Sequence, residues 1–238
     1  MSEIIVSQLT KSFHQQHVFQ NISFSVNKGE IVGIIGASGS GKTTLIQCML
    51  GILQPDHGTV TINNQFMPDL NALQHIGYMA QSDALYEDLT GLEHLKFFGR
   101  IYQLKKAELV RAIERVADIT DLTPHLNKRV AGYSGGMKRR LSLAISLLHQ
   151  PELIILDEPT VGIDPILKRK IWHAFNDLHA QGTTIIITTH IMEEAEACDK
   201  LLLLYNNTMI GFGAPDRLKA HYEVDTIEDI FIKVGETQ

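Results

Sequence analysis

The stretch Glu30-Ile31-Val32-Gly33-Ile34-Ile35-Gly36-Ala37-Ser38-Gly39-Ser40-Gly41-Lys42-Thr43-Thr44 passes from an apolar run through a glycine-rich bend into a helical pattern that continues to Leu53. Gly36, Gly39 and Gly41 sit where a backbone must turn tightly and come close to a ligand, so that successive N–H groups face one anion. Lys42 adds a point charge. Thr43 opens a helix whose positive end faces the same spot, and its hydroxyl is placed to bind a magnesium ion bridging phosphates. The spacing from Gly36 to Gly41-Lys42-Thr43 fits G-x-x-x-x-G-K-[ST] with no mismatch, and strand and helix flank it as that phosphate-binding loop requires.

Size and composition narrow the field. A chain of 238 residues can bury one sizeable core with an attached subdomain, and 44% hydrophobic with 20% charged residues is an ordinary soluble composition. No window reaches eighteen apolar residues, and Met1-Ser2-Glu3 opens no signal-like segment. The expectation is a cytosolic chain that does not span a membrane. A net charge of -6 argues against general affinity for nucleic acid. Lys138-Arg139-Arg140 and Lys168-Arg169-Lys170 read as solvated helix faces, and Cys48 and Cys198 as buried small hydrophobes. The 11 histidines form no H-E-x-x-H or comparable ligand pattern.

Strands dominate the first third. Residues 3 to 9 and 18 to 26 alternate and predict an antiparallel pair, with further strands at Thr59 to Ile62 and at 75 to 79, the last ending at Gln81. Between Leu89 and Gln150 the period becomes helical: Leu92, Leu95, Phe98, Ile101 and Leu104, then Leu109, Ile113, Val116 and Ile119. Leu153 to Leu156 is a continuous apolar run, as expected of a strand covered on both faces. A helix from Pro165 to Gln181, a strand from Thr183 to Thr189, a helix beginning near His190 and a hairpin around Asn206-Asn207 complete the order. Strands alternating with helices imply an α/β fold with a parallel, doubly wound sheet.

In such a sheet ligands collect at the carboxyl ends of the strands, where the cradle, Asp157-Glu158 and His190 all fall. Acids at the mouth of a dry strand are costly unless they bind something positive, and magnesium on cradled phosphates supplies that charge. Neighbouring strand residues point to opposite faces, so Asp157 and Glu158 are expected to differ in role. One would address the metal shell while the other polarises a water for in-line attack on the terminal phosphate.

With these residues in place the sequence resembles the nucleotide-binding subunit of ABC transporters over nearly its whole length. Leu153-Ile154-Ile155-Leu156-Asp157-Glu158 looks like the Walker B strand with its catalytic glutamate, and Tyr133-Ser134-Gly135-Gly136-Met137 like the signature sequence. Gln81 matches the Q-loop glutamine, Gly162-Ile163-Asp164 the D-loop, His190 the switch histidine and Phe13 the aromatic on which adenine stacks, all in the family's order. The resemblance implies a P-loop NTPase core with a mainly parallel sheet flanked by helices, an N-terminal antiparallel β-subdomain and an α-helical insert. In a single domain over 1-238, residues 1-81 and 151-238 would form the β-subdomain and core, and 82-150 the helical part.

It further implies a cofactor pair of ATP and Mg2+, with the metal touched by Thr43, Asp157 and Gln81. Ala37, Ser38, Ser40 and Thr44 would complete the cradle, Glu158 would act on the attacking water, and His190 would touch the terminal phosphate. Ser134, Gly135, Gly136 and Asp164 would face a second ATPase subunit, identical or different, across two shared nucleotides. Taken alone, Ser-Gly-Gly is a turn, Phe13 a core residue, His190 structural and Asp164 a helix cap. Tyr133 and Met137 stand where the family usually has Leu and Gln. Met137 cannot hydrogen-bond as an amide does, which bears on contacts through that position and not on those of Ser134 and Gly136. Ala80 stands where many members have Pro.

Residues 158 to 165 and 226 to 231 look most like exporters of the ABC-2 type, whose transmembrane permease is a separate chain. Tyr86, Phe97 and Phe98 lie where the family receives that permease. The expected place is cytoplasmic, peripheral on the inner face of the cell membrane. A soluble ABC ATPase acting on nucleic acid or ribosomes is the rival reading, set against by the acidic balance and the lack of a long coiled-coil insertion. A P-loop GTPase is disfavoured by Asn127-Lys128-Arg129-Val130, which lacks the acidic fourth residue that guanine recognition needs.

Overall fold

The computed structural model describes residues 2–14, 16–82 and 84–236. From the N-terminus the elements are β1 (Ser2–Phe13), β2 (Gln16–Asn27), β3 (Ile31–Gly36), α1 (Lys42–Met49), β4 (His57–Ile62), β5 (Gln65–Phe66) and α2 (Leu70–Leu73). There follow β6 (Ile76–Met79), α3 (Gly91–Ile101), α4 (Lys106–Ile119), α5 (Gly135–Leu147), β7 (Leu153–Asp157) and α6 (Pro165–Ala180). The chain ends with β8 (Thr184–Thr189), α7 (Met192–Glu196), β9 (Lys200–Tyr205), β10 (Thr208–Gly213), α8 (Pro215–Tyr222) and α9 (Ile227–Glu236). It divides into two compact units, Met1–Leu73 with Thr184–Gln238, and Gln74–Thr183. Among the described residues no helix is long and apolar enough to cross a membrane.

The first unit holds the antiparallel sheet β2-β1-β4-β5 and the strand order β10-β9-β3-β8, in which β3 lies parallel to both neighbours. β3 and β8 are buried at every residue, which is why their sequences are apolar or β-branched without alternation. The β1–β2 hairpin extends beyond the expected strands. Register shifts at Val6/Leu9 and Leu9/Lys11, with Gln8 at φ 50 and Asn21 at φ 51, are bulges that break the alternation in sequence while pairing continues. Phe24 of β2 meets Phe212 of β10 at 5.5 Å between ring centroids, joining the two sheets of this unit. The helix expected near His190 starts later, at Met192. Thr189 Oγ1 instead donates to Glu194 Oε2 (2.6 Å) and accepts from Ile191 N (3.0 Å), which shapes the turn that carries His190.

The second unit builds helices around the parallel pair β6–β7. α3 starts at a capping box: Thr90 accepts from Glu93 N, and Glu93 accepts in return from Thr90 N at 2.8 Å. α5 lies against β6 and β7 so closely that a side chain at Gly77 would run into the Ser146 carbonyl. Just past α5, His149 stacks on Tyr102 with ring centroids 3.7 Å apart and planes at 13°. Burial, followed by the positive neighbours His75 and Arg115, brings the His149 pKa down to about 4.

An unfolded histidine titrates near its ordinary value, so the unfolded chain takes up the His149 proton first as pH falls. Stability from this group is complete above about pH 6.5 and is lost progressively toward pH 4. Because the side chain as a whole is only half-buried, the expected loss between pH 7 and pH 5 is about 1 kcal/mol, less than full linkage would give. Urea unfolding of wild type and His149→Phe at the two pH values checks this. Identical pH dependence in the two proteins would show that His149 contributes nothing to acid sensitivity.

Candidate functional site

In the first unit, the loop between β3 and α1 turns at Ala37, Ser38 and Gly39, which are exposed, and returns inward at Ser40. Gly36 has no room for a Cβ, which would press on Ser40 Oγ and the Leu204 carbonyl. Gly41 is the N-cap of α1 at φ 94, a left-handed conformation with Val18 close beside it. Lys42 is buried, and its Nζ donates to the carbonyls of Gly36 (2.8 Å) and Ala37 (3.0 Å), arching over the loop. Thr43 and Thr44 occupy the first turn of α1. The loop therefore presents backbone amides, an ammonium and a hydroxyl from one short segment, which is the equipment of a polyphosphate site.

Two other expected residues belong to this unit. Parallel pairing sets Ile35 opposite Thr189, so exposed His190 follows β8 at the level where Gly36 ends β3. Phe13 ends β1 with 47% of its surface open and Lys11 Nζ 5.5 Å from its ring centre. A stacking face is available there.

The second unit holds the acids. Asp157 is the last residue of β7 and is 0% exposed. Burial beside this carboxylate pushes the Tyr78 phenol up from its ordinary value, desolvation being the larger cause. Glu158 is not a strand residue as the sequence pattern had suggested. Its backbone turns left-handed at φ 53, and its side chain is half-buried. The two acids are thus separated by a change of backbone conformation, not by the pleat.

Gln81 is exposed just beyond β6, whose Met79 pairs with Leu156. Ser134 is the N-cap of α5, accepting from Met137 N at 3.2 Å, and a Cβ on Gly135 would meet nothing within 4 Å. Gly136 lies close to the Gly162 carbonyl. Asp164 is exposed and caps α6, accepting from Ile166 N (3.1 Å) and Leu167 N (3.0 Å).

One residue of this cluster was misread from sequence. Of the two basic runs read as solvated faces, Lys138 pairs with Glu87 (2.7 Å), Arg140 with Asp121 (3.4 Å) and Lys170 with Asp118 (3.1 Å) near the surface. Arg139 is instead buried, with its guanidinium against the carbonyls that end β6 and β7. The signal was present in the helical period, since Leu143 and Ser146 at i+4 and i+7 are fully buried on the same face.

With this geometry in view, residues 19–161 match the family model described as ABC transporter. The chain is 37% identical over 97% of its length to the probable multidrug ABC transporter ATP-binding protein YbhF of Escherichia coli (strain K12), of which it spans 41%. It is 36% identical over 92% of its length to the linearmycin resistance ATP-binding protein LnrL of Bacillus subtilis (strain 168), spanning 71% of that protein. A solved ATP-binding subunit of an ABC transporter superposes with a TM-score of 0.91 at 28% identity, covering 98% of this chain and all of the other. The sheets and helices described above are accordingly those of an α/β P-loop NTPase with an antiparallel β portion and a helical portion. On the length of the family match and the extent of its kinship with LnrL, the chain belongs to the ABC transporter family as an ATP-binding domain.

Proposed function

We propose that the chain is the ATP-hydrolysing motor of a transporter, working as a pair of ATPase subunits that drives a separate transmembrane permease in export. The carrying observation is the split between Asp157, wholly buried at the end of an apolar strand, and Glu158, half-exposed one residue later on a left-handed turn. A buried carboxylate favours a cation as its partner, while a half-exposed one can reach water.

ATP would be held by the amides and ammonium of residues 36 to 44, with adenine on Phe13. The Thr43 hydroxyl, the Asp157 carboxylate and the Gln81 amide are hard oxygen donors that suit magnesium. When bound, the ion neutralises charge between the terminal phosphates. Glu158 accepts the proton of the attacking water, and His190 orients the terminal phosphate.

Support for a pair comes from what the second unit leaves open. Ser134 and Gly135 are exposed at a helix start, and beside Asp164 the side chain of Ile166 is 84% exposed. A second subunit would cover that apolar residue and bring its own phosphates to Ser134. Tyr86 and Phe97 are exposed and meet edge to face at 5.8 Å, a patch suited to an apolar partner such as a permease. Support for export comes from the names of relatives, a multidrug transporter protein and a resistance protein. Residues 1-81 and 151-238 then serve as the nucleotide core and 82-150 as the coupling part, on the cytoplasmic face of the membrane and without nucleic acid as partner.

Glu158→Gln is expected to bind Mg-ATP normally and to lose at least about 10²-fold in turnover; phosphate release at the wild-type rate would remove Glu158 as the base. The same variant saturated with Mg-ATP should elute as a dimer in size-exclusion chromatography, whereas a strictly monomeric profile at high concentration would sink the shared-site reading. Lys42→Ala is expected to weaken ATP binding by about tenfold to a hundredfold through loss of charge-assisted hydrogen bonds, and unchanged affinity in equilibrium dialysis would refute its phosphate role.

A further inference from the structure

Every N–H of the Arg139 side chain is engaged by a backbone carbonyl at the ends of two strands. Nε donates to Glu158 O (3.2 Å), Nη1 to Ala80 O (2.8 Å) and Gln81 O (2.9 Å), and Nη2 to Glu158 O (2.8 Å) and to Asp157 O. A guanidinium has five donors in a fixed planar fork, and here each has an acceptor.

The reason for so dense an arrangement lies in the strands. β6 and β7 run parallel and stop together, Met79 opposite Leu156. The carbonyls beyond that last pair lie outside the ladder, the Asp157 carbonyl buried and those of Ala80, Gln81 and Glu158 partly so, and a buried carbonyl left without a hydrogen bond costs about 1–3 kcal/mol. Glu158 adds a left-handed backbone, disfavoured by roughly 1–2 kcal/mol for a residue with a Cβ. That conformation brings the Glu158 carbonyl to the nitrogen that also binds the Asp157 carbonyl.

We propose that Arg139 is a positioning residue for phosphoryl transfer, holding the backbone of Glu158 and of Gln81 in one fixed relation. The clamp stands on hydrogen-bond geometry alone; its catalytic consequence rests on the proposed ATP hydrolysis. Because Arg139 lies one turn into α5, whose N-cap is Ser134, the same guanidinium ties the exposed start of that helix to the residue that turns the water. A lysine offers one nitrogen on a flexible stem and cannot span carbonyls on two strand ends, so Arg139→Lys keeps the charge and loses the clamp.

The test compares the full-length wild type with Arg139→Lys and Arg139→Met by amide hydrogen exchange and by ATP hydrolysis. In both variants exchange at residues 80–82 and at Glu158 and Thr160, which flank Pro159, is expected to quicken at least about tenfold, with α3 and α4 unchanged. Turnover is expected to fall about 10²-fold while the equilibrium Kd for ATP stays within about threefold, as for a displaced catalytic group and not a lost binding one. Unchanged exchange at both segments overturns the clamp. Faster exchange throughout the chain, or equal losses in turnover and ATP affinity, overturns the positioning role in favour of a merely structural one. If local exchange quickens as expected but wild type itself releases no phosphate from ATP, the clamp stands and the hydrolytic reading falls.

Discussion

An acid with no access to solvent, set at the end of a strand made of Leu153, Ile154, Ile155 and Leu156, is the constraint to which the second unit is built. Each of those apolar side chains contributes roughly 1.5–3 kcal/mol by leaving water. The carboxylate of Asp157 opposes them, because an ion in a dry site costs several kcal/mol even after relaxation. A cation that arrives bound to the substrate is one means by which such a charge is met. On the proposed reading that cation is magnesium carried by ATP.

The same economy governs the backbone. Strands that are buried on both faces supply a rigid frame, but their ends expose carbonyls that no ladder satisfies. In the first unit the end of β3 is answered by Lys42, whose ammonium takes the Gly36 and Ala37 carbonyls. In the second the ends of β6 and β7 are answered by Arg139. Both cations are buried and bonded chiefly to main chain, yet they differ in freedom. A lysine can exchange a carbonyl for a phosphate oxygen by rotating its stem, whereas a forked guanidinium with all donors engaged is committed to its place. The first suits a group that meets ligand, the second a group that holds another still.

Much of this was legible in the sequence because it depends on local chemistry. The glycines of residues 36 to 41, the apolar run before Asp157 and the helical period from Leu92 to Ile119 each have one physical reading, and the folded chain follows them. Three features went unread, two of them because backbone turns and bulges leave no mark in the hydrophobic pattern. The hairpin of β1 and β2 outruns its alternation because bulges at Gln8 and Asn21 absorb the register shift. The separation of Asp157 from Glu158 was assigned to the pleat, but the strand stops at Asp157 and the next residue turns left-handed. Arg139 sat in a run of cations and took its neighbours' bland interpretation, although its helical phase pointed inward.

That last misreading shows how composition and position compete. In Lys138-Arg139-Arg140 the charge count is uniform, and only the 100° step between successive helical residues distinguishes the middle one. Lys138 and Arg140 find carboxylates near the surface, at Glu87 and Asp121, where ion pairs contribute little. Arg139 finds carbonyls, and two of its nitrogens bond the carbonyl of the residue whose backbone is left-handed. A turn that is unfavourable by itself is therefore held from outside its own segment. On the proposed reading, the residue on that turn is the one whose carboxylate must be correct to within a fraction of an ångström for in-line attack, and a buried fork supplies that precision where an exposed lysine could not.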